Sequence, residues 1–122
     1  NPKLGWLHSN LAYVLWRENR ESEALRHYRR ATELEPDSLQ AHLGLGNIYL
    51  TQFKFSLALK AYNRVIALEP TLHEAYYNRG IIYSKQGEHE RAIADFQQVL
   101  EMAPNFRPAH YELGFVYQQQ GK

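Results

Sequence analysis

The sequence predicts an all-α fold built from repeated pairs of helices, and three observations support this prediction. Four of the five prolines are spaced by 34 residues, at positions 2, 36, 70 and 104. Apolar residues within each period follow a helical spacing. Small and aromatic residues recur in phase with the prolines, in the sets Ala12, Gly46, Gly80 and Gly114; Ala41, Ala75 and Ala109; Leu15, Tyr49, Tyr83 and Tyr117; Ala24, Ala58 and Ala92; and Tyr28, Tyr62 and Phe96. A fixed period of this length is typical of a solenoid of stacked repeats.

Each period contains two predicted helices separated by a short turn. In the second period, Ala41, Leu45 and Tyr49 lie on one stripe of a helix. A second stripe runs over residues 58–68, after a break near Phe53. The proline at position 70 ends this second helix, because proline disfavours helical dihedrals in the residue before it.

The third period shows the turn between paired helices most clearly. Gly87 follows the first helix, where a left-handed C-terminal cap favours glycine. Glu88 and Glu90 then open the second helix, where carboxylates interact favourably with the helix dipole. The second period has Phe53 at the position of this glycine. A phenylalanine held at positive φ would cost roughly 1–2 kcal/mol.

The in-phase glycines predict close contact between helices. Glycine inside a helix costs roughly 1 kcal/mol relative to alanine, so these glycines require compensation from packing. We expect Gly46, Gly80 and Gly114 to contact small residues of neighbouring second helices. The expected partners are the in-phase alanines, Ala24, Ala58 and Ala92.

The pattern resembles that of the tetratricopeptide repeat family. Members repeat a helix–turn–helix of about 34 residues, with a small residue on each helix, an aromatic residue three or four places later, and proline near the end. The resemblance implies a right-handed α-solenoid of about three and a half repeats. Departures occur at Asn19 and Phe53, where glycine is usual, and at Arg79, where an apolar residue is common. The implied divisions are the tail of a preceding repeat at 1–4, repeats at 5–38, 39–72 and 73–106, and the first helix of a fourth repeat or a capping helix at 107–122.

Composition argues against nucleic-acid binding and membrane insertion. The 14 basic and 13 acidic side chains give a formal net charge of +1, whereas nucleic-acid binders cluster Lys and Arg to neutralise phosphates. The longest apolar run, from Leu11 to Trp16, is far shorter than the roughly 20 residues that span a bilayer. No cysteine is present, which excludes a disulfide framework or a thiol nucleophile. The lack of cysteine fits either a reducing compartment or an exported protein that needs no disulfide. Because no leader is visible, the cytoplasm is favoured, and the location stays open.

The motifs also argue against a metal site, a cofactor and catalysis. His8, His42 and His110 share one repeat position, which Tyr76 occupies in the third repeat, so we interpret this position as filling space between helices. No pair of histidines has the spacing of a zinc site on one helix. Dinucleotide, phosphate-loop, serine-hydrolase and zinc-protease motifs are absent. We therefore expect no enzymatic activity.

A second apolar stripe lies on the first helix of each repeat, on the side away from the predicted core. At about 100° per residue, repeat positions 2, 5, 9 and 12 point away from the core-facing positions. More than half of these places hold large apolar or aromatic residues, and neighbouring asparagines can bind a peptide backbone through donor and acceptor atoms. In the resembled family this side lines a concave groove that binds peptides. The candidate binding residues are Trp6, Asn10, Tyr13, Trp16, Leu43, Asn47, Leu50, Tyr77, Asn78, Ile81, Tyr111 and Phe115.

Some members of the resembled family clamp the free C-terminal carboxylate of a chaperone with cationic and asparagine side chains. Aligned from the second repeat, Asn47 and Asn78 occupy the two asparagine positions. The three cationic positions hold Leu43, Pro108 and Glu112 instead. A carboxylate placed beside Glu112 would be repelled. We therefore expect an internal peptide segment, anchored by apolar side chains, in place of a C-terminal carboxylate.

The sequence leaves three functions open. The first is a non-catalytic scaffold that binds a protein or peptide partner in the apolar groove. The second is an accessory region that recruits substrate to a larger enzyme such as a glycosyltransferase, since residues 9–12 resemble repeats found in such arrays; a catalytic domain adjoining this segment would distinguish the two. The third is end-to-end self-association, because no second helix is predicted to cover Leu113, Val116 and Tyr117.

Overall fold

The computed structural model describes residues 2–121, with side chains from Leu4 onward. Over these residues the chain is helical and contains no strand, which confirms the predicted all-α fold. It divides into two compact units, one ending at Leu68 and the next beginning at Glu69. None of the described helices is long and apolar enough to span a bilayer. The helices are α1 (Pro2–Arg17), α2 (Glu21–Leu34), α3 (Leu39–Thr51), α4 (Phe55–Leu68), α5 (His73–Lys85), α6 (His89–Met102) and α7 (Arg107–Gln119).

The helix boundaries follow the sequence signals closely. Helices α3, α5 and α7 begin at the first residues of the repeats proposed from the sequence, at positions 39, 73 and 107. Ser38 caps α3 by accepting a hydrogen bond from the backbone N–H of Ala41 at 3.2 Å, as serine commonly does at a helix N-terminus. Residues 2–4 form the first turn of α1, a stretch that the repeat alignment assigns to the end of a preceding repeat.

The first unit packs α1 against α2 and α3 against α4, and α2 also packs against α3. Its core combines small side chains with buried tyrosine rings. Burial raises the pKa of the Tyr28 phenol to about 12. The fully or almost fully buried residues include Ala12, Ala24, Tyr28, Ala41, Ile48, Ala58, Tyr62 and Val65.

The second unit packs α6 between α5 and α7. Phe96 and Val116 are fully buried at its centre, together with Ala92 and Ile93. The expectation that Val116 is left partly uncovered is wrong, because α7 packs this face against α6. Half-buried side chains surround the cluster, namely Tyr77, Ile81, Tyr83, Leu113 and Tyr117.

Two in-phase glycines lie where paired helices cross closely, but their neighbours are aromatic rings. A Cβ added at Gly46 would lie 2.8 Å from a ring carbon of Tyr62, and one at Gly80 would lie 2.8 Å from a ring carbon of Phe96. The rings therefore lie nearest these two glycines, and the in-phase alanines are fully buried. The expected contact between Gly46 or Gly80 and these alanines stays a prediction. Gly114 departs from the expected close contact, since no described atom beyond its chain neighbours and its own helix backbone lies within 4 Å of such a Cβ.

The turns within the helix pairs all use one residue in the left-handed region. These residues are Asn19, Phe53 and Gly87, with φ of 64°, 58° and 77°. In each turn the N–H of the following residue donates to the carbonyl five positions earlier, at 2.8–2.9 Å, as in a Schellman motif. Phe53 thus adopts the conformation of the glycine it replaces. Its exposed ring meets Phe55 edge-on at 6.0 Å.

An ion pair that the sequence did not predict joins α5 to α6. Arg79 donates from Nε and Nη2 to the two carboxylate oxygens of Asp95, at 2.9 and 2.7 Å. Asp95 is only 5% exposed. The guanidinium also lies over the rings of Tyr76 and Tyr83, at 5.5 and 5.8 Å from their centroids. Hydrogen bonding to Asp95 raises the pKa of Arg79. The Asp95 carboxylate therefore compensates for a charged side chain at a repeat position where an apolar residue is common.

Phe53→Gly is expected to stabilise the first unit by about 1 kcal/mol, because glycine adopts positive φ without the steric clash of a β-carbon. Phe53→Ala retains the β-carbon and should give none of this gain. Thermal unfolding followed by circular dichroism compares the three proteins. Equal melting temperatures for the parent and the glycine variant would contradict the strain at this turn.

Asp95→Ala is expected to destabilise the protein by about 3 kcal/mol, because it removes the carboxylate from a largely buried guanidinium. The double variant Arg79→Leu/Asp95→Ala reproduces Leu45 and Ala61, the residues 34 positions earlier. It should recover most of the loss, since apolar residues can replace a buried ion pair. Urea unfolding measures both effects, and a double variant no more stable than Asp95→Ala would count against this account of the pair.

Candidate functional site

In the first unit, the exposed aromatic residues of the predicted binding stripe lie on α1. Trp6 is 59% exposed and Tyr13 is 44% exposed. Asn10 lies between them along the helix and is half-buried. The guanidinium of Arg17 lies 5.8 Å from the centroid of the Tyr13 ring, a distance at which cation–π attraction operates. These side chains offer aromatic area and hydrogen-bonding groups on one helix face.

The predicted residues on α3 are more deeply placed. Leu43, Asn47 and Leu50 are half-buried, as is Trp16 of α1. The side-chain oxygen of Asn47 accepts a hydrogen bond from the hydroxyl of Tyr62 at 2.5 Å. A core ring therefore orients this amide, which sequence spacing did not indicate. We call the set Trp6, Asn10, Tyr13, Trp16, Leu43, Asn47 and Leu50 the first-unit surface.

One member of the predicted stripe does not face solvent. Ser9 occupies the same repeat position as Leu43, Tyr77 and Tyr111, which the spacing places on the outward-facing stripe, but its side chain is buried. Its hydroxyl oxygen has no hydrogen-bond partner among the described residues. The assignment of Ser9 to the outward-facing stripe is therefore wrong, because a small side chain at this place is covered by its neighbours.

In the second unit, the predicted residues divide between an exposed and a packed group. Tyr111 is 72% exposed, and Phe115 is also exposed. Tyr77 packs edge-on against Phe106 and tilted against Phe96, with ring centroids 5.3 and 5.9 Å apart. Burial raises the pKa of Tyr77, and the Glu112 carboxylate adds to this effect. Tyr77 therefore contributes to the packing of this unit as well as to its surface.

A cavity of about 610 Å³ brings Ile81 and Phe115 together in the second unit. Ser84 and Lys85 of α5 and Glu112 of α7 also line it. Burial raises the pKa of the Glu112 carboxyl, and Lys85 partly opposes this rise. The cavity thus combines apolar walls with one acidic and one basic group. We call Tyr77, Asn78, Ile81, Tyr111 and Phe115 the second-unit surface.

The histidines that share one repeat position have structural contacts. His8 and His27 stack with ring centroids 5.1 Å apart, and their Nδ1 atoms lie 2.9 Å apart. Desolvation and the neighbouring His8 lower the pKa of His27. The Nε2 atoms of His42 and His110 lie 2.7 and 2.9 Å from the carbonyl oxygens of residues 36 and 104. Across the described part of the chain, no group of three or more potential ligands could hold a metal ion.

Structural comparison shows the same fold in domains that bind peptides. The first TPR domain of Spaghetti (RPAP3), bound to the HSP90 peptide SRMEEVD, superposes with a TM-score of 0.93 at 22% identity, covering 100% of this chain and 97% of that one. The second TPR domain of human RPAP3, in complex with the HSP70 peptide SGPTIEEVD, gives 0.87 at 21% identity, covering 96% and 98%. MamA gives 0.93 at 25% identity, covering 99% and 71%.

Family comparison agrees with the structural one. The comparison with curated proteins gives no match. Two family models, both described as tetratricopeptide repeat, match residues 9–73 and 45–112. Each match covers more than half of the sequence, and the two overlap across the second helix pair. The chain belongs to the tetratricopeptide repeat family.

Proposed function

We propose that the chain is a non-catalytic scaffold that binds an internal segment of a partner protein through apolar side chains of its first helices. The observation that carries this proposal is the exposure of Trp6 and Tyr13 on α1 and of Tyr111 and Phe115 on α7. All four lie at repeat positions on the side of the helices away from the core. Large exposed apolar patches mark interaction sites, and Trp and Tyr are enriched among the residues that contribute most to protein binding.

The electrostatics support an apolar, internal segment over a C-terminal carboxylate. The RPAP3 domains to which the fold is similar are bound to peptides that end in EEVD. This chain has Leu43, Pro108 and Glu112 where a carboxylate clamp requires cations. The raised pKa of Glu112 reflects desolvation, so a second carboxylate beside it would be unfavourable. A substrate-recruiting region of a larger enzyme, such as a glycosyltransferase, would use the same surfaces, and an adjoining catalytic domain would identify it.

A test of this proposal selects peptides from a random library on the immobilised chain and measures their affinity for variants. Tyr13→Ala and Tyr111→Ala should each weaken binding to their own unit's surface by about 1–2 kcal/mol, because each removes an exposed aromatic contact. Phe53→Ala removes an exposed aromatic ring outside both surfaces and is the matched control. A substitution of Tyr77 is unsuitable for this test, because its ring also packs on Phe96 and Phe106 and its loss would disturb the fold as well as binding.

Two properties of the selected peptides check the internal-segment mode. Amidating their C-termini should leave the affinity unchanged, and raising the salt concentration should weaken binding little, because few charges are neutralised. A large loss on amidation alone, or equal effects of Tyr13→Ala and Phe53→Ala on every peptide, would overturn the proposal.

We also propose self-association, through α1 instead of the α7 end expected from the sequence. Leu7, Leu11 and Val14 form a stripe with Leu4 and are 45–52% exposed. The equivalent residues 34 positions later, at 41, 45 and 48, are buried where α3 packs against α2. No helix among the described residues covers the stripe on α1, and a second copy of the chain would do so.

The variant Leu7→Glu/Val14→Glu should abolish this association, because it places two carboxylates in an apolar contact. Light scattering over a range of concentrations measures the mass of the parent and of the variant. The parent should grow in mass with concentration while the variant stays monomeric. A parent that remains strictly monomeric at high concentration would contradict self-association.

A further inference from the structure

The first unit also contains a cavity, which lies on the other side of α3 from the first-unit surface. Its volume is about 510 Å³, within the usual range for binding pockets. Leu45 and Tyr49 line it from α3, and α4 forms an exposed wall that includes Leu57. At about 100° per residue, these α3 positions lie roughly 130° around the helix from the residues of the first-unit surface. The two sites therefore face different directions.

One position of α4 that lines the cavity holds a smaller side chain than the equivalent positions of the other helix pairs. Ala61 lies on the cavity wall, and the residues 34 positions before and after it are His27 and Asp95. His27 fills this place in the first helix pair by stacking on His8. Asp95 fills it in the third pair by bonding to Arg79. In the second pair the alanine leaves the equivalent space open.

Two basic residues are the charged groups among the described residues that line the cavity. Lys60 and Arg64 of α4 line it, one turn apart, and the described residues that form its lining include no carboxylate. Arg29 of α2 donates to the hydroxyl of Tyr49, one of the lining residues, at 3.1 Å. The nearby carboxylate of Asp37 pairs with Arg64, while Lys60 is exposed to solvent at the rim. The lining is therefore apolar between Leu45, Leu57 and Ala61, and Lys60 places a positive charge at its rim.

We propose that this cavity binds an acidic and apolar segment of a partner protein. One large apolar side chain enters between Leu45, Leu57 and Ala61, and a carboxylate beside it in the partner pairs with Lys60. The groove is open along α4, so an occupant keeps one side in contact with solvent. This arrangement suits a side chain that projects from a protein chain better than a small apolar molecule, which needs enclosure on all sides.

The probe is a panel of fluorescein-labelled nine-residue peptides, each with one Leu or Phe flanked by two Glu. Matched peptides carry Gln in place of Glu. We expect Glu peptides to bind and to shift the backbone NMR signals of Lys60, Ala61 and Arg64. Lys60→Glu should weaken binding about fivefold, and the Gln peptides should bind the parent about fivefold less tightly. Lys54→Glu makes the same charge change on the exposed turn before α4, outside the cavity, and should leave binding unchanged.

A second variant tests the cavity itself. Ala61→His introduces the residue that the first helix pair carries at this position, and it should reduce binding more than tenfold by filling the space. Should this variant unfold, the comparison of Lys60→Glu with Lys54→Glu decides the question alone. Tyr13→Ala should have no effect, which separates this site from the first-unit surface. The proposal is overturned if no Glu peptide binds, if Gln peptides bind equally well, or if the shifted signals belong to Leu43 and Asn47.

Discussion

The packing of an aromatic ring against a glycine is the contact on which the second and third helix pairs, α3/α4 and α5/α6, depend. Tyr62 covers Gly46 between α3 and α4, and Phe96 covers Gly80 between α5 and α6. A β-carbon at either glycine would lie within 3 Å of the ring, closer than van der Waals contact allows. The helices can therefore approach closely only because the first helix has no side chain at this point, and the ring then fills the space that the glycine leaves.

In α3 and α5 this close crossing determines which side of the helix faces its partner helix. At repeat positions away from that side, α1 exposes Trp6 and Tyr13, and α7 exposes Tyr111 and Phe115. The same constraint orients Asn47, because the Tyr62 ring that covers Gly46 also donates its hydroxyl hydrogen bond to that amide. The proposed binding surfaces are thus tied to the core by shared residues. A substitution such as Tyr77→Ala would alter both the surface and the packing, which is why fully exposed residues make better tests.

The helix pairs differ at facing positions next to the glycine contact. One pair of equivalent positions holds Leu45 and Ala61 in the first unit and the ion pair of Arg79 with Asp95 in the second. Both combinations of side chains are compatible with the same backbone, because the glycine and the ring set how the two helices of the pair cross. The pair with the smallest side chains leaves a cavity. Differences in binding within this fold can therefore arise from residues that do not alter the helices themselves.

The sequence by itself determined the helices, their boundaries within a few residues and the outward-facing stripe. These features follow from local rules, since apolar spacing, proline and left-handed turn residues act within one or two helical turns. The same reasoning placed most of the exposed aromatic residues correctly, including Trp6 and Tyr111. It did not predict that Ser9 is buried or that the rings of Tyr62 and Phe96 lie nearest Gly46 and Gly80.

Only the tertiary structure decided which side chains meet across helices. The partner of Arg79 lies 16 residues away on another helix, and no periodic pattern in the sequence distinguishes Asp95 from other carboxylates. The stacking of His8 on His27 and the cavity beside Ala61 depend in the same way on side-chain lengths at facing positions. Spacing along one helix specifies a face, whereas contact between two faces depends on their distance and crossing, and those are set by the packed rings and glycines.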